Sequence, residues 1–159
     1  MTIEPMRPTD WPAVARIYEE GLDEGTFEDS VPAWDEWDAS HLGACRVVAR
    51  EGDDLVGWAA LSPVSRRACY RGVAEGSVYV ARSSRGQGVG RALLDELCRQ
   101  ADEAGIWTVQ AVMFADNTAS IALHEACGFR LVGRRERIAR KQGVWRDTVL
   151  LDRRSTVVA

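Results

Sequence analysis

Residues 78–105 read VYVARSSRGQGVGRALLDELCRQADEAG. The β-branched and aromatic run Val78-Tyr79-Val80 gives way to Arg85-Gly86-Gln87-Gly88-Val89-Gly90, and then to the most strongly amphipathic segment of the chain. Over Gly90–Ala104, the residues Leu93, Leu94, Leu97, Cys98, Ala101 and Ala104 fall on one helical stripe. Gly105 stands where a left-handed cap is expected. The spacing predicts a strand, a glycine loop and a long helix in direct succession. Glycines let a backbone turn tightly and bring its N–H groups close to an anion. The start of a helix adds unpaired N–H donors and a favourable dipole, and Arg85 and Arg91 add charge. Residues 78–80 and 85–91 therefore read as a pyrophosphate cradle; a flexible strand-to-helix turn is the plain alternative, since three glycines make that as well. Two other phosphate motifs fail here. A P-loop ends in Gly-Lys-Ser/Thr, whereas this stretch ends Val89-Gly90-Arg91, and a dinucleotide fingerprint needs GxGxxG in an early βαβ unit.

On the N-terminal side, Thr2–Arg7 reads as a short strand. Thr9-Asp10-Trp11-Pro12 reads as a helix start, with a hydroxyl cap and a proline in the first turn. Trp11, Val14, Ala15, Ile17, Tyr18 and Leu22 follow at helical spacing. Gly25 to Trp34 is loop-like, and Trp34–Leu42 is a short second helix. Arg46–Arg50 and Leu55–Leu61 flank Gly52-Asp53-Asp54 as a hairpin. Ser62–Gly72 is irregular and basic, and Val73–Ala81 is the strand that leads into the glycine loop. On the other side, Trp107–Phe114 reads as a strand and Asn117–Cys127 as a helix stopped by Gly128. Phe129–Ala139 and Val144–Leu151 are strands around Gly143. The order implies an α/β fold, a mixed sheet with helices on both faces, in a single domain over residues 1–159.

Composition narrows the function. Apolar residues make up 46% of the chain, enough for a real core, and no apolar run approaches the length of a membrane span. Met1 is not followed by a basic-then-apolar signal region, so a cytoplasmic enzyme is expected. Cys45, Cys69, Cys98 and Cys127 are scattered without a CxxC pair and read as reduced, mostly buried residues. His41 and His124 lie in no ligand spacing, so no metal is expected. Residues 1–60 hold four Arg/Lys against fourteen Asp/Glu, and residues 61–159 sixteen against ten. The basic second half suits a polyanionic ligand, although two solvated faces of opposite sign would look the same. Without a Lys/Arg run interleaved with aromatics, nucleic acid is a poor candidate partner.

The pattern Arg85-x-x-Gly88-x-Gly90 between a strand and a long helix resembles the coenzyme-A loop of the GCN5-related N-acetyltransferase superfamily. A second segment, Asn117-Thr118-Ala119-Ser120 with Leu123-His124 and Gly128-Phe129, resembles that superfamily's helix-to-strand signature. The resemblance implies that superfamily's fold, a mixed and mostly antiparallel sheet flanked by helices, and acetyl-CoA as co-substrate, with Asn117 on its pantetheine arm and Ser120 also binding the cofactor. Many members carry, at the position of His124, a Tyr that protonates the leaving thiolate; on the residues alone, a lone His on this helix is more often structural. Within the superfamily the chain is similar to the phosphinothricin and methionine sulfoximine N-acetyltransferases, including the group that acetylates arsinothricin. Gly25-Thr26-Phe27-Glu28, Ser62-Pro63 with Tyr70, Ala74-Glu75-Gly76-Ser77-Val78-Tyr79-Val80 and Leu123-His124-Glu125 carry that likeness, and His is usual there at the place of His124.

The likeness implies N-acetylation of a small amino-acid analogue by a homodimer. It makes Glu75 the base, Arg67 the binder of the acceptor's anion, Phe27 a wall of the pocket and Tyr70 a further substrate contact; Arg66 and Arg71, nearby in sequence, are the alternatives for sharing the anion. The chemistry agrees. An amine must lose a proton before it attacks a thioester, so a base is required. Glu75 shares a strand face with Ser77 and Tyr79. A structural salt bridge from Glu75 to Arg66, Arg67 or Arg71 is the alternative. Trp145 in Gly-x-Trp-x-Asp reads as core or dimer contact. A protein N-terminus or a polyamine as acceptor, and a non-catalytic acetyl-CoA-binding domain, are the competing functions. A polyamine site would want acidic residues where the loop before Glu75 is basic.

Overall fold

The computed structural model describes residues 1–23 and 26–159; the Gly25 end of the expected loop lies outside the described residues. The chain runs β1 (Thr2–Pro5), α1 (Trp11–Leu22), α2 (Trp34–Ser40), β2 (Arg46–Glu51), β3 (Asp54–Pro63), β4 (Val73–Val80), α3 (Val89–Glu103), β5 (Thr108–Phe114), α4 (Thr118–Ala126), β6 (Arg130–Lys141) and β7 (Val144–Arg154). The strands form one seven-stranded sheet in the order β1-β2-β3-β4-β5-β7-β6. Every neighbouring pair is antiparallel except β4 with β5, the arrangement that the family resemblance implies.

The period-2 pattern of the central strands divides the core in two. Val47, Ala49, Ala59 and Leu61 turn to one face and meet Leu93, Leu94, Leu97 and Ala101 of α3. Val48, Trp58 and Ala60 turn to the other and meet Val14, Ile17 and Tyr18 of α1 and Trp37 of α2. Central strand β3 is consequently buried on both faces from Leu55 to Leu61, the pattern expected of a strand covered by helices on each side.

Three local expectations are corrected. The hydroxyl of Thr9 does not cap α1. Thr9 lies in a 3-10 turn, and the N-cap is Asp10, whose carboxylate instead accepts the Arg7 N–H at 2.9 Å and pairs with Arg50. The second helix stops at Ser40 rather than Leu42, because the Leu42 N–H is drawn to the Leu61 carbonyl at 2.9 Å. Ala104 is exposed, lying past the last turn of α3, and Val89 joins the buried stripe at the other end of that helix.

The feature that positions a site is a parting of strands. β4 pairs with β5 only from Val73–Thr108 to Glu75–Gln110. Beyond that point β4 stays with β3 as far as Val80, and β5 stays with β7 as far as Phe114. A wedge therefore opens in the middle of the sheet, with Glu75 and Gln110 at its closed end. The Gly72 carbonyl accepts from Trp107 and Thr108 on the β5 side, whereas the Ala81 N–H bonds to Val56 on the β3 side. Alternation along β4 then turns the peptide groups of Val78 and Val80 into the wedge, beyond the last residue pair that β4 makes with β5.

Candidate active site

A cleft of about 1150 Å³ follows this wedge, and both ends of it are built from residues already singled out. At the wide end lie Arg85, Gly86, Gly88, Val89, Gly90 and Arg91. Gly86 has φ +73° and Gly88, the N-cap of α3, has φ +83°. A Cβ on either would meet nothing within 4 Å, so the dihedral rather than the space demands glycine. At Gly90 the reverse holds: a Cβ would come within 3.1 Å of Leu123, and its absence lets α3 lie close to α4. No side chain caps α3, which leaves the N–H groups of its first turn available for an anion. The Nε of Arg85 donates to the Val80 carbonyl at 3.2 Å. Gln87 stands outside the lining, exposed, with its amide 3.4 Å from the Ser83 carbonyl.

The three β4 residues assigned to the cradle separate by face. The side chains of Val78 and Val80 pack on the α3 core, and their peptide groups face the wedge. Tyr79 points the other way and stacks between Tyr18 (4.9 Å) and Trp58 (4.8 Å). Gly21 of α1 permits that stack, since a Cβ there would collide with the Tyr79 ring at 2.6 Å. Burial pushes the Tyr79 hydroxyl above the usual tyrosine range.

Helix α4 lines the same cleft with Asn117, Ser120 and His124. Asn117 is its N-cap, the side-chain oxygen accepting the Ser120 N–H at 3.2 Å. His124 is buried, edge-on to Phe129 at 5.0 Å, with Nδ1 2.8 Å from the Ser120 carbonyl. A carbonyl only accepts, so Nδ1 carries the hydrogen, and burial holds the imidazole below the ordinary histidine range. The neutral ring keeps Nε2 as an acceptor.

At the closed end Glu75 is half-buried, opposite Ser62 on β3 and Gln110 on β5. Its Oε1 accepts from the Gln110 amide at 3.0 Å. Among the described residues it has no ion-pair partner, so the salt-bridge alternative finds no support. Phe27 lines the cleft edge-on to Phe114 at 4.7 Å. Arg66, Arg67, Tyr70 and Arg71 are exposed and lie outside the lining. Their loop nevertheless leaves the sheet at Ser62 and Pro63, which line the cleft beside Glu75, so the loop stands at its rim. Trp145 is not core: it is exposed on the β6–β7 hairpin beside Arg137 and Arg140.

Sequence reading passed over Gln110, Arg146 and Lys141. A polar residue within the apolar run Thr108–Phe114 was a signal for Gln110. Arg146 lines the cleft with its guanidinium carbon 4.0 Å from the Phe114 ring centre. Lys141 bonds the carbonyls of Thr26 and Glu28 and lies 3.7 Å from Asp29, clamping the segment that carries Phe27. Neither has a signature in local sequence. Among the described residues no group of His, Cys, Asp and Glu is arranged to hold a metal ion, and no described helix is long and apolar enough to cross a membrane.

A model of the Acetyltransferase (GNAT) family matches residues 11–129. The phosphinothricin N-acetyltransferase of Alcaligenes faecalis is 37% identical over 161 residues, covering 96% of this chain and 81% of its own length. A crystal structure from Sinorhizobium meliloti, described as a GNAT superfamily phosphinothricin acetyltransferase in complex with AcCoA, has a TM-score of 0.87 at 32% identity, covering 96% of this chain and 87% of its own. A ribosomal-protein-alanine N-acetyltransferase structure from Brucella melitensis has a TM-score of 0.90 at 30% identity, covering 98% of this chain and 100% of its own.

Proposed function

Because the chain belongs to the Acetyltransferase (GNAT) family and is an acetyl-CoA-dependent N-acetyltransferase, we propose that its acceptor is the α-amino group of a small amino-acid analogue such as phosphinothricin, methionine sulfoximine or arsinothricin. The observation that carries this reading is the wedge itself, with an anion cradle at its wide end and an unpaired carboxylate at its closed end. The residues fit the co-substrate. The open N–H groups of residues 86–90, with Arg85 and Arg91, suit a pyrophosphate. The peptide groups of Val78 and Val80 suit the amides of the pantetheine arm, with Asn117 and Ser120 alongside. Bound acetyl-CoA supplies an acetyl group activated as a thioester.

The chain's own residues handle the proton. An amino acid arrives as an ammonium, and Glu75 takes its proton directly or through one water. Gln110 holds the Glu75 carboxylate in place. His124, neutral with its hydrogen on Nδ1, can take up a proton at Nε2 and pass it to the leaving thiolate. Arg67, in the loop at the rim, is assigned to the acceptor's α-carboxylate, with Tyr70 and Arg71 in support. Phe27 walls the acceptor side.

The enzyme acts as one domain over residues 1–159 and as a homodimer in the cytoplasm. The unpaired thiols support the setting. The exposed Leu131, Val132, Ile138, Val144 and Trp145 on β6 and β7 support self-association, which sedimentation at monomer mass would refute. The likeness to the Brucella structure favours a peptide N-terminus as second reading. Initial rates of thiol release from acetyl-CoA, compared across the three amino acids and an alanine-initiated peptide, separate the two. Faster turnover of the peptide would overturn the first.

A further inference from the structure

We propose that Arg146 is the specificity-determining residue for acceptors that carry an anionic group at the far end of the side chain; this rests on the amino-acid reading above. Among the described residues the cleft is lined by three arginines, Arg85, Arg91 and Arg146. The first two belong to the anion cradle and the start of α3. Arg146 belongs to the opposite wall. Phe114, on which it stacks, alternates with Val112 and Gln110 along β5, and so lies on the same sheet face as Glu75's partner Gln110.

The guanidinium is held before any ligand arrives. The Phe114 ring supports one face at 4.0 Å. Nη2 donates to both oxygens of Asp116 at 2.8 and 3.0 Å. Nε and Nη1 have no partner among the described residues. An arginine fixed in this way offers its remaining N–H donors, at Nε and Nη1, to a carboxylate or phosphinate with little further ordering. Position decides which anion it meets. Phe114 is four residues beyond Gln110, or roughly 13 Å along the strand. The α-carboxylate stays near the amine and hence near Glu75, so the group that extends along β5 towards Arg146 is the remote head of the side chain. Phe27 and Phe114 flank that path.

The test compares wild type, Arg146→Met and Arg146→Lys on phosphinothricin, whose head is anionic, and on methionine sulfone, whose head is neutral. Methionine keeps an apolar stem over Phe114 and removes the charge. Arg146→Met is expected to lose about 10- to 100-fold in kcat/KM on phosphinothricin, mainly through KM. It should change less than about threefold on methionine sulfone and keep the acetyl-CoA KM, which also reports that it is folded. Arg146→Lys should fall between, retaining charge without the fixed planar donors. Equal losses on both acceptors, or an unchanged phosphinothricin KM, would overturn the assignment of Arg146 alone. A wild-type enzyme that acetylates neither amino acid would overturn the functional reading together with it.

Discussion

The two ends of the cleft are built in different ways. The end proposed for the cofactor is backbone: residues 85–91 supply it within one stretch of chain, and its geometry follows from two glycines in the left-handed region and a helix start. The end proposed for the acceptor is side chains drawn from separate elements: Phe27 from the α1–α2 connection, Glu75 from β4, Gln110 and Phe114 from β5, and Arg146 from β7. A contiguous backbone cradle tolerates much change around it, because only dihedrals and N–H directions matter there. A wall assembled from distant side chains depends on what clamps each of them.

That difference should show first in the size and kind of mutational effects. The largest is expected at the closed end. Glu75→Gln should slow kcat by about a hundredfold, the usual range for losing a general base, with acetyl-CoA affinity intact. The deficit should shrink as pH rises and more free amine is present. A near-wild-type rate at neutral pH would make Glu75 structural. Next comes the cradle. Gly88→Val must either hold a β-branched residue at φ +83° or move the loop. The acetyl-CoA KM should rise by roughly tenfold while the acceptor KM is unchanged. An unaltered acetyl-CoA KM in a folded variant would remove the loop from cofactor binding.

A smaller effect sharpens the contrast. Lys141→Met releases the carbonyls of Thr26 and Glu28 and so loosens the segment bearing Phe27. The acceptor KM should rise several-fold without a change in acetyl-CoA KM; equal changes in both would show a general loss of structure instead. The smallest effect concerns pH and stability. Burial lowers the His124 pKa in the folded chain. Between the ordinary value near 6.5 and that lowered value, the unfolded chain holds a proton that the folded one does not. Stability should therefore fall as pH drops below about 6.5. His124→Gln should flatten part of the slope in thermal melts, and His41, also lowered by burial, should retain the rest. An identical slope in the variant would refute the burial argument.

The same division governs what a reader of the sequence can see. The strand, glycine loop and α3 were legible because hydrophobic period, left-handed glycines and helix starts are local properties. Helices on both faces of the sheet were legible in the order of strands and helices. Glu75 was legible through its strand face and a family likeness. Arg146 was not, because an arginine after an exposed tryptophan in an edge hairpin looks like any solvated charge until Phe114 and Asp116 are brought beside it. The clamp of Lys141 on Thr26 and Glu28 joins residues 115 and 113 positions apart, and no spacing rule reaches that far. Arg67 shows the converse: a basic loop is conspicuous in sequence, yet in the fold it stands at the rim of the cleft rather than in its lining.

The central claim is that this cleft brings an acetyl thioester to the amine of a small amino acid. The most direct measurement mixes the enzyme with acetyl-CoA carrying a 13C-labelled acetyl group, phosphinothricin and an alanine-initiated peptide in equal amounts, and follows the label by NMR. The account predicts that the label appears as an amide on the phosphinothricin α-nitrogen, at a rate that Glu75→Gln cuts by about a hundredfold. Label that accumulates on the peptide instead, or that stays on coenzyme A with both acceptors present, would contradict it.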